Sequence, residues 1–196
     1  MAEGPDDFPD VAMPARPALI ILVGLSIVYA AAFIFLGHHL QSSFSYITAS
    51  TVLAGGLLAL SYIDLRTGLL LDILTLPLTV LGLAFSVWAG DWMLSLAGAI
   101  LGYAMIAGLA YYWRVRRGYE GIGLGDAKLL AAGGAWVGVM GLPLLLLIAS
   151  SVGILAAIVV ARTTQSTSDR LAIPFGPSLA LGIWVVWCGI ETVVSI

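Results

Sequence analysis

Between Lys128 and Arg162 the chain carries no charged side chain. A helix crosses a bilayer with about 20 predominantly apolar residues, within a range of roughly 17–25. A stretch this long belongs in lipid, either as one long span or as two short ones. The pattern recurs along the chain, and apolar runs predict spans near 18–37, 44–63, 73–89, 92–113, 127–140, 142–161 and 177–195. The expected fold class is all-α, a polytopic integral membrane helical bundle of about seven transmembrane helices, six to eight in all. The fifth run is short and glycine-rich, so it either tilts through a thinned region or is shielded by its neighbours. Its separation from the sixth rests on "MGLP" at 140–143. One long broken span there would give six crossings and move the C-terminus to the other side.

Composition excludes several classes of function. Hydrophobic residues make up 61% and charged residues 10% of the chain, against about 25% charged in a soluble domain, and mean hydropathy is +1.07. Eight Lys and Arg in total leave no basic patch for nucleic acid. Cys188 is the only cysteine, so no internal disulfide and no Cys-x-x-Cys metal or redox pair can form; it reads as a packing or lipid-facing residue. His38 and His39 are adjacent, and neighbours on a helix do not face one another, so no metal site is expected. Nor is any cofactor. The glycines at 121, 123 and 125 do not make a dinucleotide loop, which would need glycine at 126 after a strand, and there is no Gly-Lys-Ser/Thr phosphate loop.

Charge placement predicts sidedness. Residues 1–17, "MAEGPDDFPDVAMPARP", read as a disordered cytoplasmic tail, too acidic for the start of a signal peptide. Residues 18–196 read as one transmembrane domain. With the N-terminus inside and seven spans, the inside segments are the tail, 64–72, 114–126 and 162–176. They hold Arg16, Arg66, Arg114, Arg116, Arg117, Arg162 and Arg170, with Lys128 at an edge, which is every Lys and Arg in the chain. The bias follows the positive-inside rule and puts Asp64, Asp72, Glu120 and Asp126 at the cytoplasmic face.

Each of these acids has an ordinary reading. Asp126, before "AKLLAAGGAWVG", suits a helix N-cap, and so does Asp72 before "ILTLPL". Asp64 lies where the second span runs out, at a helix end that disfavours an anion, and Arg66 is placed to neutralise it. Together the acids allow more. Two carboxyl groups at one membrane face can hydrolyse a peptide bond without metal or covalent nucleophile. One takes a proton from water while the other, protonated, donates to the scissile carbonyl. Close together they share a proton and titrate as a pair. Helix-end electrostatics predict that Asp126 ionises first and Asp64 holds the proton. The glycines before Asp126 leave that segment bare enough for another backbone to lie alongside.

"YIDLRTGLLLDILTLPL", then "GYEGIGLGDAKLLAAGGAWVG", then "AIPFGPSLALG" resemble, in that order and over about residues 60–185, the type IV prepilin peptidase family. These are bacterial inner-membrane aspartic proteases of the Gly-x-Gly-Asp class. A lone Gly-x-Gly-Asp is weak; the long form with Glu120, Asp126, Lys128, Leu129, Leu130, Trp136 and Gly138, plus "IPFGP" at 173–177, is specific. The resemblance implies that Asp64 and Asp126 are the catalytic pair and that Gly123 and Gly125 are the motif glycines. It also implies a prepilin or pseudopilin substrate with a short basic leader, cut at the cytoplasmic face just after a glycine. Such an enzyme serves a type IV pilus or protein secretion. The family usually has Ile-Pro-Asp where this chain has Leu70-Leu71-Asp72, which puts the shape of the 64–72 loop in question. Many members also methylate the new N-terminus, using an extra cytoplasmic domain with paired Cys-x-x-Cys motifs. This sequence has no such motifs, and a peptidase without methyltransferase activity and without zinc is expected.

The supporting residues divide. Glu120 either helps hold a basic leader or is a solvated loop acid. Lys128 either snorkels or supports the carboxylates. Pro174, Phe175, Gly176 and Pro177 break the chain before the last span, as a wall of the active cleft or as a helix stop. Gly98 with Gly102, and Gly134 with Gly138, have the small-xxx-small spacing that lets helices approach. The tryptophans and tyrosines read mostly as interface anchors. The rival function is a small proton- or cation-coupled transporter using the same acids, but the acids gather at one face and no halves repeat. A helix-cutting Gly-x-Gly-Asp protease and a noncatalytic scaffold are further alternatives. The expected location is the bacterial cytoplasmic (inner) membrane, in contact with membrane lipid.

Overall fold

The computed structural model describes residues 23–31, 34, 44–117, 123–163 and 174–194. The tail 1–17, His38, His39 and Glu120 lie outside the described residues. Among the described residues six helices follow in order: α1 (23–31), α2 (Phe44–Thr67), α3 (Asp72–Ala89), α4 (Trp92–Arg117), α5 (Leu124–Thr163) and α6 (Gly176–Val194). No strand occurs among the described residues. Phe44–Thr67, Asp72–Ala89, Trp92–Arg116 and Leu124–Val159 are long and apolar enough to cross a membrane. Large apolar side chains stand on the outside, with Ile73 75% and Leu147 64% exposed, as lipid permits and water does not. The protein is a multi-pass membrane bundle.

Helices occupy the described parts of the expected spans, with one instructive shift. α2 and α5 extend past the predicted lipid boundaries, so Asp64 and Asp126 lie within helical turns. α2 continues until Gly68, whose φ of 65° is the left-handed conformation that glycine adopts without steric cost. There the Gly68 N–H donates to the Asp64 carbonyl at 2.8 Å, an αL cap that closes the helix.

α5 is broken at Gly138, where φ is 69° and ψ is 174°, a combination essentially confined to glycine. In a straight helix residues 133 and 145 would lie about 18 Å apart. Instead a Cβ built on Gly133 would stand 3.1 Å from Leu145 Cδ1. The chain turns back on itself at Gly138, two residues before the expected boundary at 140–143. Two helical arms result, matching the fifth and sixth predicted runs.

The first arm is about 14 residues and roughly 21 Å long, too short for the roughly 30 Å hydrocarbon layer. It is shielded by its neighbours, and from Leu129 to Gly138 only Ala131 is more than slightly exposed. α3, α4 and α6 surround it. The small-residue spacing is what allows this. Gly98 and Gly134 face each other so closely that a Cβ on either would meet the other's carbonyl oxygen, and a Cβ on Gly102 would lie 2.7 Å from the Leu130 carbonyl oxygen.

The aromatic expectation needs correction. Trp136, Trp184, Trp187 and Tyr29 are buried, while Trp88, Trp92, Tyr111 and Tyr112 are exposed. Close backbone approach leaves flat spaces that indoles fill, and buried N–H groups usually find an acceptor, although Trp184 Nε1 has none among the described residues. Trp136 Nε1 donates to the Leu78 carbonyl at 2.8 Å, and Trp187 Nε1 donates to Ser50 Oγ at 3.0 Å. The Tyr29 hydroxyl of α1 donates to the Ala180 carbonyl at 2.9 Å, with its ring stacked on Trp184.

Candidate active site

α2 and α6 run antiparallel, tied at one end by Trp187 to Ser50 and at the other by Gly176 to Asp64. α3 and the first arm of α5 run parallel, tied by Asp72 to Lys128 and by Leu78 to Trp136. These directions carry the end of α2 and the starts of α3, α5 and α6 to one end of the bundle. Asp64, Asp72, Gly125, Asp126, Lys128 and Gly176 all sit there, although they come from three distant stretches of sequence.

Asp64 is buried, only 5% exposed. Its Oδ2 accepts the Gly176 N–H at 2.9 Å, which gives a buried carboxyl group the partner it requires. That N–H opens α6, so the positive end of a second helix faces Asp64. Gly176 has no substitute in this geometry, because a Cβ there would lie 2.5 Å from Asp64 Oδ2 and 2.9 Å from Cγ. Arg66, the expected neutraliser, instead lies over the Tyr62 ring at 5.6 Å.

Asp126 is half-buried in the first turn of α5, which begins at Leu124. It is therefore not the N-cap. Its carboxyl group lies close enough to Asp64 to feel that residue's charge. Asp64 thus faces the positive start of α6 as well as the negative end of α2, so its own helix end does not act alone on its charge.

Two contacts hold the first turn of α5 in place. Lys128 Nζ lies 2.6 Å from both Asp72 Oδ1 and Oδ2. A Cβ on Gly125 would lie 2.9 Å from Leu70 Cβ, so the 68–71 loop lies directly on that glycine. The motif glycines differ in this respect, since a Cβ on Gly123 would meet nothing within 4 Å. The loop's missing proline is also accommodated. Leu71 holds φ −75° and ψ 127°, inside the range of proline, about −65 ± 15°.

Sequence reasoning missed Asp72 as the partner of Lys128, having read it as a cap; Leu71, the residue at the cap position, makes no side-chain cap bond. A signal was present. Lys128 is the only lysine in the chain, and Asp72 opens another helix at the same face. Among the described residues no cluster of His, Cys, Asp or Glu could hold a metal ion.

The type IV leader peptidase family model matches residues 51–158, more than half the chain and both aspartates. The chain belongs to this family. Its relatives include proteins named prepilin leader peptidase/N-methyltransferase. That of Burkholderia pseudomallei (strain 1026b) is 43% identical over 132 residues, 66% of this chain and 42% of that protein. That of Neisseria gonorrhoeae is 36% identical over 156 residues, 78% and 53% of the two chains. That of Escherichia coli (strain K12) is 48% identical over 131 residues, 64% and 56%. This chain thus spans about half the length of the curated relatives it matches. No solved structure matches it. Within the leader peptidase match lie Asp64, Asp72, Gly123, Gly125, Asp126 and Lys128, whereas Pro174 and Gly176, which lie against Asp64 and its helix, fall beyond it.

Proposed function

We propose that this protein is a membrane aspartic endopeptidase that removes the short basic leader of type IV prepilin-like proteins at the cytoplasmic face of the bacterial inner membrane. One observation carries the reading. Asp64 and Asp126, some sixty residues apart in sequence, lie at the same end of the bundle, within reach of each other's charge and inside the segment matched by a leader peptidase family. The cytoplasmic assignment rests on the confinement of Lys and Arg to one side.

Two carboxyl groups this close hold one proton between them. The ionised one takes a proton from water, whose oxygen attacks the scissile carbonyl. The protonated one donates to that carbonyl oxygen and stabilises the developing charge. Gly176 orients Asp64, and the Lys128–Asp72 pair together with Leu70 sets the position of Asp126. The nearby acids suit a basic leader, while the substrate's apolar segment stays in lipid.

The test is co-expression with candidate type IV prepilins, reading leader loss by N-terminal sequencing. Asp64→Asn and Asp126→Asn should each lower the cleavage rate by about 10²–10⁴-fold, the usual contribution of a general acid or base, while the protein still accumulates in the membrane. Cleavage retained in both variants would sink the reading. Ion-driven transport lost in both variants, with no cleavage by the wild type, would favour the transporter instead.

A further inference from the structure

α1, the second arm of α5 and α6 enclose a groove of about 290 Å³. Gly24, Leu65, Leu155, Ala156, Pro177 and Leu181 are among its walls, and no charged side chain lines it. Its position is the informative feature. Leu65 follows Asp64 in the chain, and Pro177 follows Gly176, whose N–H binds Asp64. One end of the groove therefore lies beside the α2–α6 contact that holds Asp64, although Asp64 itself is not part of its wall. From Pro177 to Leu181 it follows α6 for about 6 Å, one helical turn, away from that end and into the bundle. Two larger cavities, of about 340 Å³ beside Trp136, Gly138 and Asp91 and about 440 Å³ beside Trp136, Phe44 and Trp88, lie at the far end, where they cannot present a bond to Asp64.

Resting on the peptidase reading above, we infer that this groove seats the apolar helix of the substrate while the leader junction lies between Asp64 and Asp126. A helix already in lipid gains little from apolar burial alone, so association depends on close packing against small residues. Gly24 and Ala156 supply them. A Cβ on Gly24 would meet nothing within 4 Å, which leaves that wall open to an incoming helix. Lateral entry from lipid fixes the depth of the substrate and so chooses which peptide bond reaches the carboxyl pair.

The same open space makes the groove testable, since a side chain added at position 24 fills it without a forced clash. In proteoliposomes with full-length type IV prepilin, Gly24→Trp should raise KM about tenfold or more and leave kcat within about twofold, whereas Gly108→Trp, at an equally open position on α4 away from the groove, should behave as the wild type. An unchanged KM in a folded Gly24→Trp protein would overturn the groove assignment and leave the peptidase reading standing. A wild type that cleaves no prepilin would remove the peptidase reading and the groove assignment together. Independently of turnover, a benzophenone amino acid replacing Leu155, in an Asp126→Asn background, should capture prepilin through its apolar segment on irradiation. Capture of lipid only would overturn the assignment.

Discussion

The two ends of the first arm of α5 are built on opposite principles. At its start the side chains are polar and partly open. Asp126 is half-buried, and Lys128 and Asp72 pair across a gap that solvent reaches, with side chains 32% and 54% exposed. At its far end Trp136 stands among Phe85 and Trp187 with its N–H on the Leu78 carbonyl, and Gly134 presses on Gly98. Both ends are tied to α3, one by charge and one by packing. The packed end fixes the arm's place in the bundle, and the polar end is left to orient a carboxyl group. A packed support beneath a more open first turn holds Asp126 at the same end of the bundle as Asp64.

The contrast can be broken most severely at the packed end. Gly134→Leu puts a branched side chain where there is only the Gly98 carbonyl. Overpacking commonly costs about 1–3 kcal/mol, and contact with rigid backbone belongs at or above the top of that range. The expected result is loss of folded protein from detergent extracts by size-exclusion chromatography. Next in size is Gly176→Ala at the polar end, where the added methyl group displaces Asp64. Misplacement of a catalytic group by 1 Å can cost about 10²-fold. A drop of that order in kcat/KM is expected, with thermal unfolding little changed. Equal loss of fold and activity would show that Gly176 acts through packing alone.

Smaller effects sharpen the distinction. Lys128→Met removes a half-exposed ion pair, worth about 0.2–1 kcal/mol, so activity should fall no more than about fivefold. Asp72→Asn should have a similar effect, and the double variant should be no worse than either single one if the two act as a unit. Additive losses would mean that Lys128 works separately from Asp72. The smallest change is Leu71→Pro. Its φ already suits proline, so a gain of about 0.4–1 kcal/mol through the unfolded state is expected, read as a modest rise in unfolding temperature with activity retained.

Much of this protein is legible in its sequence. Length and apolarity alone require helices in lipid, because a run without charge such as 129–161 has no other solvent, and the starts and ends of most helices follow from where that apolarity stops. Lys and Arg placement predicts sidedness, and the spacing of Gly98, Gly102, Gly134 and Gly138 marks a close crossing. The motif residues around Asp126 point to a chemistry. Other features depend on contacts between distant segments, which no local pattern encodes. The reversal at Gly138 is one, since glycine permits φ 69° without requiring it and the packing of Gly133 against Leu145 and Ile183 holds the fold there. The partner of Lys128 is another, because either neighbouring acid satisfied the sequence. The surroundings of Asp64 are the third. Read along its own helix it sits at a negative end, and only the arrival of α6, 112 residues away, brings the N–H and the positive helix end that oppose that environment.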